Sequence, residues 1–377
     1  MPVELKEVKT KKELKDFVKF QFDIFKGNPY FVPPIIDDEI STFLPEKNPA
    51  YEHSESKLFL AFKDGKIVGR IAAIISHLAN KKWKMNNLRF GWVDFIDDYE
   101  VVKGLFDAAE SWGREKGLNT ITGPHGFCDF DMQGLLIEGF DKLPTIASYY
   151  HHPYYQKHIE NYGFQKEVDF VEFLSTPPYE EGIPEKILRI ADYVKEKYKF
   201  RLPVYNNKKD IIKRGNEILK LLDETFEENY GTVPLSDKQR EYYIKKYISY
   251  IHKDLVKLVE TQDGELVGFL ITMPSLSKAY QKANGHLLPF GVFHMLKALK
   301  TYEVLDFYFA GVKKEYRGKG VDLLMVVEIV KTAMKFGFKC AESNQELETN
   351  TRVQAEWKFF NPIQHKRRRI YKKEINN

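Results

Sequence analysis

The sequence predicts an α/β protein built from two similar halves, and three observations carry that reading. The chain has 377 residues, enough for two ordinary domains and too many for a single growing core. Strand patterns alternate with helix patterns along its whole length. The two halves also share one order of elements, and the stretches FLAFKDGKIVGRIAAI and KLVETQDGELVGFLIT each place Val-Gly three residues after an Asp-Gly turn. The expected boundary lies near Ser175, where Thr176-Pro177-Pro178 breaks the pattern, giving domains 1–175 and 176–377.

Val3–Val8 opens as a strand. Lys11–Phe25 follows as a helix, with Leu14, Phe17, Val18 and Phe22 at helical spacing. Pro29, Pro33 and Pro34 keep the next segment irregular, and its aromatic residues suggest an ordered rim. Leu58–Lys63 and Ile67–Ser76 form a hairpin around Asp64-Gly65, a pair that tolerates the positive φ of a tight turn. Arg89–Ile96 is a strand, Val101–Lys116 a helix capped by Asp97-Asp98 and ended by Gly117, Thr120–Thr122 a short strand and Phe164–Leu174 a late one. In the second half, helices are expected at Pro184–Lys197, Asn207–Tyr230 and Asp237–Tyr250, with a short strand at Arg201–Tyr205. The early pattern then returns: strands Leu255–Thr261 and Leu266–Thr272 about Asp263-Gly264, strand Leu305–Val312, helix Val321–Phe336 ended by Gly337, strand Cys340–Ser343, helix Asn350–Phe360 and strand Gln364–Lys372.

Composition narrows the function classes. A hydrophobic fraction of 43% with 30% charged residues belongs to a folded chain, and a net charge of +4 does not point to nucleic acid. The 22 tyrosines and 28 phenylalanines fit core packing or a ring-lined cavity. The run His365-Lys366-Arg367-Arg368-Arg369 reads as the solvated face of a last strand or as a phosphate site. Two cysteines without metal-ligand spacing suggest reduced thiols, and no metal site is expected. With no apolar leader and no run long enough to span a bilayer, a cytoplasmic protein is expected, as a monomer or homodimer.

The strongest local signal is the segment from Phe309 to Val321, in which Gly311-Val312 leads through Arg317-Gly318-Lys319-Gly320 into an apolar helix. Gly318 and Gly320 allow close approach of backbone N–H groups to a ligand, and the following helix start favours an anion. Read alone, the segment is either a pyrophosphate loop or a basic glycine turn. It matches neither the P-loop nor the dinucleotide spacing.

This loop resembles motif A of the GNAT superfamily, the Gcn5-related N-acetyltransferases, with Glu315 where Gln or Arg is usual. Glu342, Asn344, Asn350, Val353 and Trp357-Lys358-Phe359-Phe360-Asn361 stand where the downstream motif lies, with Trp357 in place of a tyrosine that commonly acts as acid. Tyr154–Phe164 resembles the Asn-Tyr-Gly-Phe ending of such domains. Gly27–Pro34, Val68–Ala72 and Gly134–Asp141 are similar to stretches of a widespread bacterial family of GNAT-like proteins. The resemblance implies two GNAT-like domains, each a mixed, mostly antiparallel sheet flanked by helices, the first a degenerate copy in which Asp97-Asp98 replaces the glycine loop.

It also implies acetyl-CoA or another acyl-CoA held by Gly311, Val312, Arg317, Gly318, Lys319, Gly320 and Val321. Glu342 is the expected base, and Asn350 is expected to cap a helix and touch the cofactor arm. The acceptor is expected to be a small-molecule amine, with His125, Asp129, Tyr154 and Tyr155 as candidate substrate residues. The implied function is acyl-CoA-dependent N-acyl transfer. A CoA-binding protein without turnover and an aminoacyltransferase of the tandem-GNAT type are the alternatives.

Overall fold

The structure, a computed structural model, describes residues 2–247, 250–351, 354 and 361–375. In chain order the elements are β1 (Glu4–Glu7), α1 (Lys11–Ile24), α2 (Ile36–Thr42), β2 (Ser54–Lys63), β3 (Lys66–Ser76), α3 (His77–Trp83), β4 (Asn87–Phe95), α4 (Tyr99–Glu115), β5 (Thr120–Gly123), β6 (Leu135–Glu138), α5 (Tyr154–Asn161) and β7 (Gln165–Ser175). They continue as α6 (Glu185–Tyr198), α7 (Lys208–Lys213), α8 (Gly215–Thr225), α9 (Asp237–Tyr247), β8 (Val256–Glu260), β9 (Leu266–Pro274), α10 (Ser277–Ala283), α11 (Gly291–Ala298), β10 (Val304–Val312), α12 (Val321–Phe336), β11 (Cys340–Ser343), β12 (Glu346–Leu347) and β13 (Ile363–Glu374).

Two compact units result, and they are not contiguous in sequence. Unit 1 takes residues up to Val171, Ser277–His294 and the chain from His365 onward; unit 2 takes Glu172–Leu276 and Met295–Gln364. The reason lies in strand pairing. In unit 1, β13 from the far end of the chain runs antiparallel to β5, Tyr371–Glu374 against Gly123–Thr120. In unit 2, Leu174 and Ser175 at the end of β7 pair with Glu342 and Ala341 of β11. Each unit is thus completed by the strand that closes the other half of the sequence.

Unit 1 is a sheet with helices on both faces. Because side chains alternate along a strand, Phe59, Ala61, Ile71 and Ala73 pack against Val101, Leu105 and Phe106 of α4. Leu58, Leu60, Ala72 and Ile74 pack on the other face, against Leu14, Phe17 and Val18 of α1. Thr10 and Glu13 form a reciprocal cap at the start of α1. In unit 2, α12 and α6 share a core with Val259, Val267, Leu270 and Leu305 of the sheet.

The repeated Val-Gly pair has one physical cause in both units. A Cβ on Gly69 of β3 would come within 2.8 Å of Val101 and Leu105, one turn apart on α4. A Cβ on Gly268 of β9 would meet Val321 at 2.4 Å and Met325 at 3.4 Å, one turn apart on α12. In each unit the glycine lets the principal helix lie directly on the hairpin.

Several expectations are corrected. The strand at Arg201–Tyr205 reduces to a single bridge between Arg201 and Glu260, since Pro203 has no N–H for a ladder. The long helix at Asn207–Tyr230 breaks at Arg214 and stops at Thr225. There the Arg214 guanidinium turns aside to Glu217 at 2.7 Å and to Glu260. Helices α10 and α11 had no sequence signal strong enough to separate them from a loop. The helix expected from Asn350 to Phe360 lies largely outside the described residues, as does Trp357; the Asn350 carbonyl does accept from Gln354 N at 3.2 Å.

The basic run is neither a solvated face nor a phosphate site. Arg367 and Arg369 donate to Asp169 at 3.2 and 2.8 Å, while Lys366 and Arg368, on the opposite face of β13, are buried and donate to the carbonyls of Leu143 and Tyr149.

Two buried histidines of unit 1 give it a pH dependence. Burial, aided by the charges of Arg89 and Arg368 respectively, pushes His125 and His151 well below the ordinary value of 6.5. His151 Nδ1 accepts from Leu136 N at 3.1 Å, which requires an unprotonated nitrogen. Because both values are depressed on folding, the stability they carry is fully present above pH 6.5 and is lost as pH falls below it. Urea unfolding between pH 6.5 and 5 is expected to show stability falling with a slope that steepens toward about 1.4 kcal/mol per pH unit for each histidine. A His125→Gln, His151→Gln variant is expected to have a flatter profile.

Candidate functional site

The site begins with a parallel strand pair that parts. In unit 2, β9 runs antiparallel to β10 as far as Val312, with a register shift between Phe307 and Phe309. On its other edge β10 pairs with β11 only from Val304 to Phe307, where Phe307 stands opposite Ser343. From Tyr308 to Val312 no strand among the described residues continues that edge. Ala310 is exposed and the residues around it are half-buried. An opening of this kind suits an extended chain carrying amides, which can take the place of a strand.

The opening leads into the glycine loop. Gly318 and Gly320 adopt φ of 77° and 79°, a region costly to residues with a Cβ. Gly320 is the N-cap of α12 and has no side chain to cover the N–H groups of the first turn. A Cβ on Gly318 would meet nothing within 4 Å, whereas one on Gly320 would meet Val194 of α6 at 2.9 Å. Gly318 therefore faces open space and Gly320 is packed. Arg317 donates to the carbonyls of Val312 and Thr225 at 3.3 and 3.1 Å, so its guanidinium fixes the loop from behind. Lys319 lies 4.7 Å above the Tyr316 ring. Gly311 serves packing, since a Cβ there would sit 2.5 Å from the Thr225 hydroxyl, and Val321 is buried in the core.

Glu342 occupies β11 opposite Asp306, one residue before the strands part. It is buried, and its carboxylate lies within 4.8 Å of that of Glu172, also in unit 2. Asp306 accepts from the Tyr308 hydroxyl at 3.4 Å. Glu172 and Asp306 went unnoticed in the sequence, although single acids inside the apolar strings FVEFL and VLDFYF were a usable signal.

The equivalent place in unit 1 is closed. There β4 pairs with β5 in parallel only from Asn87 to Arg89, and the space beyond is filled by the chain itself. His125 N donates to Phe90 O at 2.7 Å, and Arg89 reaches Gly126 O at 3.2 Å. Phe95 N donates to the Tyr155 hydroxyl at 3.2 Å, and the Tyr154 hydroxyl donates to Phe95 O at 2.8 Å. Tyr155 donates in turn to Asp94, which is paired with Arg70 at 2.6 Å. Every residue of β4 is buried. The N-terminus of α4 is covered as well, by the Asp98 carboxylate accepting from Glu100 N at 3.0 Å.

Three of the four acceptor candidates, His125, Tyr154 and Tyr155, are thus tied to β4. Burial and the neighbouring Asp94 charge hold the Tyr155 hydroxyl well above its usual range, and burial keeps His125 neutral. Asp129 is half-buried in the turn after β5, where Asp131 rather than Asp129 accepts from Phe127 N and Cys128 N.

No family model matches the chain. It is 28% identical over 371 residues to Protein YghO of Escherichia coli (strain K12), covering 97% of this chain and 94% of that protein. It is also 28% identical over 380 residues to Bacterial ceramide synthase of Caulobacter vibrioides (strain NA1000 / CB15N), covering 98% and 96%. Among solved structures it is similar to the tandem GNAT protein from the clavulanic acid biosynthesis pathway, with a TM-score of 0.59 over 100% of this chain and 99% of that one at 11% identity. The fold is therefore that of two GNAT domains in tandem.

The closure of unit 1 can be checked at Gly91, where a Cβ would stand 2.3 Å from the His125 carbonyl oxygen. Gly91→Ala is expected to lower stability by about 1–3 kcal/mol in denaturant unfolding. Gly318→Ala, facing open space, is expected to cost only about 1 kcal/mol, from its backbone conformation.

Proposed function

We propose that unit 2 binds an acyl-CoA along the edge of β10 at Ala310–Val312 and transfers its acyl group to the amine of a long-chain lipid. The observation that carries this reading is the contrast between two equivalent strand pairs, one filled by its own chain and one left partly exposed ahead of a helix whose N-cap is a glycine. The open pair fits the cofactor's parts in order. Ala310–Val312 offers a strand edge for the amides of the pantetheine arm, and the glycine turn at Gly318–Gly320 and the start of α12 offer backbone N–H groups to the pyrophosphate.

When bound, acyl-CoA supplies a thioester carbonyl and a thiolate leaving group. The protein's part is to orient and to move a proton. An amine attacks only as the free base, so a group near the parting of the strands must take a proton from it. Glu342 is assigned that role, directly or through water, with the Glu172 carboxylate within 4.8 Å and Asp306 opposite it on β10. Backbone N–H groups beyond the bulge at Tyr308 are suited to stabilise the carbonyl oxygen as it gains charge. The lipid acceptor is supported by the similarity to Bacterial ceramide synthase across 98% of this chain, a ceramide being the amide of a fatty acid and a long-chain amino alcohol.

Calorimetric titration with palmitoyl-CoA, coupled to a thiol-release assay with a long-chain 2-amino alcohol, tests the proposal. The intact chain is expected to bind with micromolar affinity and to release CoA only with the amine present. Gly318→Glu is expected to abolish binding while the chain stays folded. Glu342→Gln is expected to keep binding and lower kcat by roughly a hundredfold. A folded chain that binds no CoA would overturn the proposal, and binding without turnover on any amine would reduce it to a CoA-binding role.

A further inference from the structure

From Leu266 to Tyr302 the chain contains no aspartate or glutamate and four lysines, Lys278, Lys282, Lys297 and Lys300. Within this stretch, in unit 1, lies a dense run of exposed apolar side chains: Leu287, Leu288 at 75% exposure, Phe290 at 72% and Phe293 at 65%. Exposed apolar residues elsewhere, such as Val204 and Ile363, stand singly and need no explanation.

The segment is held in place. Ser277 donates to Pro144 O at 2.7 Å, Gln281 donates to Pro29 O and Phe31 O at 2.8 and 3.0 Å, and Ile36 N donates to Gly285 O at 2.9 Å. On α10, Ala279 and Ala283 are buried, which turns Lys278 and Lys282 outward. Val292 N closes the following turn on Leu287 O at 2.7 Å. The apolar tips are therefore presented outward by fixed backbone.

We propose that this segment docks unit 1 onto an anionic lipid bilayer, with Leu288, Phe290 and Phe293 in the acyl boundary and Lys278 and Lys282 among the headgroups. No described helix is long and apolar enough to cross a membrane, so the attachment is to one leaflet. Exposed Phe and Leu beside Lys278 and Lys282, in a stretch whose own sequence carries no acid, is the composition of an interfacial anchor, in which apolar burial and attraction to anionic lipid add. Asp37 and Asp38 of α2 lie next in the chain to Ile36, which bonds Gly285. Charge favours an anionic surface over a second copy of this chain, which would bring like-charged lysines together. The proposal deepens the lipid-acceptor reading and rests on it for its purpose, since a long-chain amine is extracted from a bilayer.

The test is co-sedimentation of the full chain, without acyl-CoA, with vesicles of phosphatidylcholine containing roughly a third phosphatidylglycerol, against phosphatidylcholine alone. The chain is expected to sediment with the anionic vesicles and to be released by salt. A Leu288→Asp, Phe290→Asp, Phe293→Asp variant is expected to partition at least about tenfold less. In Phe290→Trp, the indole emission is expected to shift to the blue on vesicle addition. Absence of binding to anionic vesicles, or equal partitioning of the triple variant, overturns the proposal. So does a dimer that the triple variant dissolves while vesicles are ignored. Vesicle binding without acyl transfer would leave the docking standing and sink the acceptor reading; transfer in detergent without vesicle binding would do the reverse.

Discussion

When two parallel strands part halfway along their length, the backbone groups of the inner edge must find partners other than a strand. This constraint arises twice in the chain and is met in two ways. In unit 1 the segment from Pro124 to Phe127 and the hydroxyls of Tyr154 and Tyr155 supply the partners, and β4 is buried throughout. In unit 2 nothing among the described residues takes that place beyond Phe307, and β10 remains partly exposed. The helix that follows obeys the same division. Asp98 caps the start of α4 with its side chain, while the N-cap of α12 is Gly320, and Asp322 in its first turn accepts from Leu323 N at 3.0 Å.

Much of this was legible in the sequence, because it depends on local rules. The helix Val321–Phe336 and the strand Cys340–Ser343 are predicted with the bounds observed, since an apolar period between glycines specifies both ends. The Val-Gly repeat was visible as a pattern, and its cause, close approach of α4 and α12, emerges only with packing. The exchanged closing strands were not legible: Arg367 and Arg369 look like a basic patch until β13 is seen to set them on Asp169. No local pattern states which half of the chain a final strand will join.

The candidate site was legible in its loop and less so in its acids. Gly318 and Gly320 announced a turn into a helix, but the sequence could not tell that Arg317 braces the loop through Val312 and Thr225, on a helix more than ninety residues earlier. His125 and Tyr155 are expected as substrate residues, whereas in the structure the His125 backbone N–H and the Tyr155 hydroxyl bond β4 at Phe90 and Phe95. Glu172 and Asp306 were hidden because a buried acid in an apolar strand becomes informative only when its neighbours across the sheet are known.

Hydrogen exchange with and without palmitoyl-CoA tests most directly the proposal that the cofactor lies on β10 of unit 2 and not on β4 of unit 1. Added protection is expected in Tyr308–Lys319 and the first turn of α12, with Phe90–Asp98 and Pro124–Phe127 unchanged. Protection in the segments of unit 1, or none in unit 2 at saturating cofactor, would contradict it.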